Sequence, residues 1–130
     1  VEDLTEIPSA VRLVIVDSLH RLRSSEVSGA AGSNGQLIHA VEALVGLARA
    51  RSLVVLIISH VNREGDASGT TGVDHDVDAL IEMTRAEEIE PGVLRVKKNR
   101  HGPAPVSVRF RLTEGGILYV AEEEEADGES

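Results

Sequence analysis

The chain has no cysteine and no tryptophan, and one phenylalanine and one tyrosine are its whole aromatic complement. Without cysteine there is neither a disulfide framework nor a thiolate metal site. Aromatics at 2% against 42% apolar residues mean a core of Val, Leu, Ile and Ala. That composition suits buried strands between helices better than an aromatic-rich binding module. No apolar run approaches the ~20 residues that span a bilayer, and the opening VEDLTEIPSA has no basic or apolar signal-like segment. The expectation is a soluble, cytoplasmic protein with no membrane role. Its 130 residues are enough for one domain with a modest core.

Acid is also missing from one stretch. The net charge is −9, but the last ten residues hold six acids and no base, leaving −3 for the first 120. Between Gly92 and Leu112 there are six Lys or Arg and no acid. The protein therefore carries a locally basic segment whose plainest reading is a solvated strand face.

Residues 1–10 are polar and read as a linker or helix end, and 121–130 have the composition of an acidic disordered tail. Between them, residues 11–120 form the folded core. RLVIVDS (Arg12–Ser18) and LVVLIISH (Leu53–His60) are continuous apolar runs of the kind found in parallel strands covered on both faces. The small, polar segment 23–35 separates the first run from a helix expected to start near Ser33, where Ser33 and Gln36 have capping-box spacing. Leu37, Val41, Leu44, Val45 and Ala48 supply its apolar stripe, and it runs out around Ala50–Ser52. Strand, helix, strand of this length is a βαβ crossover with parallel strands. A second small, polar loop covers 62–72, and a third strand is expected at Ala79–Met83. Beyond Val93, VLRVKK, VSVRFRL and ILYV read as antiparallel strands extending the edge of the parallel sheet. Val106, Val108, Phe110 and Leu112 alternate there with Ser107, Arg109 and Arg111, and Gly102-Pro103 and Gly115-Gly116 mark turns. The fold class is α/β.

In an open parallel sheet, ligands bind at the carboxyl ends of the strands. There the two runs end in Asp17-Ser18 and Ser59-His60, which should face one crevice. A carboxylate ending an apolar strand is costly unless compensated, and a Mg²⁺ ion held through water compensates it in nucleotide-binding proteins. Asp17 is thus the candidate metal-binding residue, and Asp17, Ser18 and Ser59 are candidates for nucleotide contact. A Ser-His-Asp hydrolase built from Asp17, Ser18 and His60 is disfavoured, because no Gly-x-Ser-x-Gly elbow is present. The five histidines show no ligand-like spacing.

Four segments carry a family resemblance. LVIVDSLHRLRSSEVSGAAGSNGQ resembles the Walker B strand and following loop of the RadA (Sms) DNA-repair ATPases. IISHVNREG is similar to that family's Gly-His-Val-Thr-Lys-Glu-Gly stretch, and VDHDVDALIEM to its Leu-Glu-His-Met-Val-Asp segment. KKNRHGP (Lys97–Pro103) matches its Lys-Asn-Arg-Phe-Gly motif, with His101 in place of Phe. The matches fall in family order across residues 11–118. RepA-type and DnaB-type helicases and KaiC share the scaffold.

The resemblance implies the C-terminal half of a RecA-like P-loop NTPase core, acting with ATP and Mg²⁺ on single-stranded DNA as a homo-oligomeric ring, a hexamer. Asp17 would orient the Mg²⁺, and His60 would report the γ-phosphate to the loop beyond it. Lys98 and Arg100 would act in trans on a neighbour's nucleotide, offsetting charge on the phosphoryl oxygens. Residues 23–35 and 62–73 correspond to the loops that line a channel around DNA, with Arg23, Asn62 and Arg63 as the contacts. For Lys98 and Arg100 the structural alternative is a solvated hairpin strand, and for His60 a hydrogen-bonded core histidine.

The chain departs from this family in having no Gly-x-x-x-x-Gly-Lys-Ser/Thr, so no phosphate cradle lies within these residues. The second loop also lacks the family's Ala-Gly-Pro-Arg run. A fragment of a longer ATPase or a shortened relative is expected, inactive alone. A replicative helicase fragment and a non-catalytic RecA-like interaction module are the alternatives.

Overall fold

The computed structural model describes residues 1–60, 74–85 and 91–120. It divides between Val77 and Asp78 into two compact units.

The first unit is the βαβ crossover. Strand β1 (Leu13–Asp17) and strand β2 (Val54–Ile58) flank helix α1 (Asn34–Arg51) and pair in parallel, with Leu13 opposite Val54 and Asp17 opposite Ile58. Helix α1 turns Leu37, Ala40, Val41 and Leu44 inward at helical spacing, all essentially inaccessible to solvent. They close on Val16 and Leu19, with Val14, Val55 and Ile57 partly buried against the same cluster. Each fully buried Leu or Val side chain here contributes about 1.5–3 kcal/mol.

Side chains alternate across a strand, so the other face of this two-stranded sheet carries Leu13, Ile15, Val54 and Leu56. These are 50–63% exposed. The sequence reading had both faces covered; among the described residues only the helix side is.

Helix α1 begins where expected, but for a different reason. Ser33 is the N-cap without a side-chain capping bond, so the capping box does not form. Gln36 is instead buried, and its amide reaches out of the helix. Its Oε1 accepts the Ser24 N–H at 2.8 Å, while Nε2 donates to the Ser24 carbonyl at 3.0 Å and to the Val27 carbonyl. The loop expected to be loose is thus tied to the helix over residues 24–27. Its start is also held by Glu2, whose carboxylate accepts the Ser25 N–H and Oγ–H at 2.8 and 2.7 Å and the Ser24 hydroxyl at 3.1 Å. Those bonds, the Ser25 hydroxyl foremost, hold the Glu2 carboxyl far below its ordinary value. Residues 1–10 include a 3₁₀ turn, Glu2–Glu6, and Arg51 donates from its guanidinium to the carbonyls of Ile7 and Pro8, both at 2.6 Å. Helix α1 ends on Ser52, a non-glycine residue in the left-handed region at φ 50° and ψ 48°.

The second unit is an antiparallel sheet in the order β3 (Ala79–Thr84), β4 (Gly92–Asn99), β5 (Val106–Thr113), β6 (Gly116–Val120). The expected strands are all present, but they pair with one another in a sheet of their own rather than onto β1 or β2. A bulge interrupts the β3–β4 register between Leu80 and Ile81. Phe110, 1% exposed, lies opposite Gly92, where an added Cβ would overlap its ring. The glycine is what lets the single phenylalanine lie flat against the neighbouring strand.

Three outcomes follow for stability. Replacing Gln36 with Leu strands one buried N–H and two carbonyls, and denaturant melts should show a loss of about 2–4 kcal/mol. Ser52→Gly relieves the left-handed strain and should gain about 1 kcal/mol in the same assay. Because the Glu2 carboxyl is depressed in the folded state, its contribution is complete above the unfolded value, near 4.5, and is lost as pH falls below it. Acid titration of Glu2→Gln should therefore give a shallower fall in stability than the parent protein below that pH.

Candidate functional site at the strand ends

The parallel register fixes which residues share an end of the sheet. Asp17 is the last residue of β1 and lies opposite Ile58, the last of β2. Ser18 follows the one strand and Ser59 and His60 follow the other, so both polar pairs leave the sheet at its carboxyl end. Asp17, Ser59 and His60 are exposed and Ser18 is half-buried. Ser18 caps a 3₁₀ turn, Leu19–Arg21, and its carbonyl accepts the Arg21 N–H at 3.0 Å. No hydrogen bond or ion pair engages the Asp17 side chain among the described residues, so its carboxylate is available to a cation. No hydrogen bond joins Asp17, Ser18 and His60 either, which leaves the hydrolase reading without geometry.

Among the described residues no three His, Asp or Glu side chains gather to hold a metal. Asp17 is the carboxylate at this end that would hold a Mg²⁺, and the ion would supply charge neutralisation to a bound phosphate. The residues fit the metal side of a nucleotide site. They do not supply the phosphate cradle, because the sequence has no Gly-x-x-x-x-Gly-Lys-Ser/Thr.

Close by in sequence, His20 has a buried Nδ1 with no hydrogen-bond partner, beside the backbone of Gly32. Sequence reasoning passed over it, and its spacing offers no signal that would have marked it. Of the candidate DNA contacts, Arg23 is exposed where the anchored loop begins. Asn62 and Arg63 lie outside the described residues.

Lys98 and Arg100 belong to the antiparallel unit. Lys98 is half-buried near the end of β4, opposite Leu80. Arg100 follows the strand and is held twice by Asp78: its N–H donates to the Asp78 carbonyl at 2.8 Å, and its Nη1 pairs with the carboxylate at 2.8 Å. Asn99 Oδ1 accepts the His101 N–H at 3.2 Å, and a Cβ on Gly102 would come within 2.6 Å of the Asn99 amide nitrogen. Asn99 and Gly102 therefore shape the turn that presents Lys98 and Arg100. The ion pair is half-exposed, so it positions the arginine more than it stabilises the fold.

Comparison with known proteins gives a consistent outcome. No family model matches the chain. DNA repair protein RadA of Helicobacter pylori is 32% identical over 108 residues, covering 83% of this chain and 24% of that protein. RadA of Streptococcus pneumoniae is 30% identical over 107 residues, covering 82% and 26%. The chain thus spans about a quarter of the length of the curated relatives it matches. A crystal structure of the RadB recombinase superposes with a TM-score of 0.60 at 18% identity, over 92% of this chain and 56% of that one. Over 83% of its length this chain resembles the RadA DNA repair proteins, and its fold is RecA-like.

Proposed function

We propose that these residues are the Walker B half of a DNA-dependent ATPase that works on single-stranded DNA during recombinational repair in the cytoplasm. The observation that carries this reading is the common carboxyl end of β1 and β2, where Asp17-Ser18 and Ser59-His60 emerge together. Ligands of parallel sheets lodge there, and the resemblance to RadA selects a nucleotide among them.

Asp17 would hold the Mg²⁺ of bound ATP, which supplies neutralisation of phosphate charge there. Ser18 and Ser59 donate hydroxyl hydrogen bonds at the rim, and His60 transmits the state of the γ-phosphate to residues 62–73. Lys98 and Arg100 stabilise the phosphoryl charge on an adjacent subunit of a hexameric ring. Arg23 and Arg63 neutralise the DNA backbone, and Asn62 hydrogen-bonds to it, without reading sequence. Residues 11–120 act as the C-terminal half of the ATPase core, and the acidic segment 121–130 lies outside the described residues. A phosphate-binding loop from elsewhere in the same polypeptide completes the site.

One observation favours a second reading, a RecA-like module that docks on partner subunits without catalysis. The outer face of β1 and β2 leaves Leu13, Ile15, Val54 and Leu56 uncovered by the described residues, and such a patch is costly in water. A replicative helicase of the RepA or DnaB type shares the scaffold and would differ by unwinding forked DNA.

Turnover in the full gene product separates these readings. Lys98→Ala and Arg100→Ala should each cut DNA-stimulated ATP hydrolysis on the order of 10³-fold while ATP affinity stays nearly unchanged. Asp17→Ala should abolish hydrolysis. Full turnover in the two cation variants would remove the trans role, and a gene product with no phosphate-binding loop and no ATPase would leave the docking module.

A further inference from the structure

The basic segment between Gly92 and Leu112 is only half used by the reading above, which takes Lys98 and Arg100 and leaves four cations without a task. The register of the antiparallel sheet gathers them. Arg109 and Arg111 are two residues apart on β5 and so share a face, about 7 Å apart along the strand. Arg95 of β4 lies opposite Ser107, on that same face. Glu82 of β3 lies opposite Arg95, and it is the one acid there within the strands. Lys97 pairs with it at 2.9 Å, which leaves three guanidiniums in excess. All three are exposed, and neither the Arg109 nor the Arg111 side chain makes an ion pair or hydrogen bond among the described residues.

We infer that this face is a nucleic-acid surface built from its own residues, a flat platform that takes the phosphodiester backbone of single-stranded DNA. Diagonal neighbours on adjacent strands sit about 7–8 Å apart, so Arg95, Arg109 and Arg111 form a ladder of cations rather than a pocket. A ladder suits a linear polyanion. Each guanidinium offers a planar fork that matches two phosphate oxygens, which a lysine does not. The single tyrosine, Tyr119, lies opposite Phe110 on the other face, so no aromatic ring stacks bases here, and binding is blind to sequence. DNA is favoured over an acidic protein segment because the relatives this chain resembles are DNA repair proteins.

Fluorescence anisotropy of the full gene product with labelled oligothymidylate and oligoadenylate, titrated with salt, is the test. Arg109→Ala/Arg111→Ala should weaken both oligonucleotides alike and lower the slope of log affinity against log salt by about 1.4, near 0.7 per lost phosphate contact on a single strand. Arg109→Lys/Arg111→Lys should keep the slope and lose part of the affinity, and matching circular dichroism melts guard against misfolding. An Arg23→Ala variant run alongside reports on the loops. If it weakens binding while the double alanine variant binds with parental affinity and slope, the platform is refuted and the loop reading stands. If the double alanine variant loses a polyglutamate peptide and keeps DNA, the face serves an acidic protein segment and the inference fails. If the parent protein binds neither oligonucleotide, both readings fall.

Discussion

Pairing β1 with β2 in parallel depends on helix α1 lying across one face of both strands. Leu37, Ala40, Val41 and Leu44 leave the helix on one side and meet Val16, with Val14, Val55 and Ile57 around them. A crossover connection of this kind has to bring the second strand back in the same direction as the first. Everything proposed about the nucleotide end rests on that packing. It is the parallel sense, and not any contact between Asp17 and His60, that brings their two strand tips to one end. An antiparallel arrangement with the same burial would put them at opposite ends and leave the polar residues without a common ligand.

The same constraint leaves a face uncovered. Strands built almost entirely of Val, Leu and Ile have no polar side to offer to water, so helix α1 satisfies half of the sheet and Leu13, Ile15, Val54 and Leu56 remain. The antiparallel unit also leaves apolar side chains uncovered: Phe110 is buried, but Ile81, Met83, Leu112 and Ile117 on its face are 50–58% exposed. Its strands alternate, gathering Phe110 and its neighbours on one side and arginines on the other. The parallel strand pair is therefore apolar on both faces, while the antiparallel sheet carries its arginines on one face.

How far the sequence could be read follows from the range of the interactions. The apolar runs around β1 and β2 and the stripe on α1 are local patterns, and the βαβ unit was legible from them. The alternation in Val106–Leu112 was equally local and set Phe110 on the face opposite Arg109 and Arg111, though it could not tell that Phe110 alone of the four apolar residues is buried. Gln36 was misread as half of a capping box because its true partners, Ser24 and Val27, are 12 and 9 residues away. No spacing rule reports a side chain that leaves its own helix to hold a loop. The uncovered outer face was hidden for a related reason: an apolar run states that cover is needed, not that this stretch of chain provides it. The same limit applies to Arg100, whose Asp78 partner lies 22 positions upstream on the first turn of the antiparallel unit. At the candidate site, the strand-end residues were visible as polar breaks in apolar runs. Their roles entered through resemblance, and Asn62 and Arg63 fall outside the described residues.

The central claim is that Asp17 and His60 face one nucleotide, and paramagnetic relaxation tests it most directly. In the full gene product with Mn²⁺ in place of Mg²⁺ and ATP bound, the His60 imidazole proton resonances should broaden strongly, and Asp17→Ala should abolish the effect. Sharp His60 resonances in the presence of bound manganese, or broadening that survives loss of the Asp17 carboxylate, would contradict it.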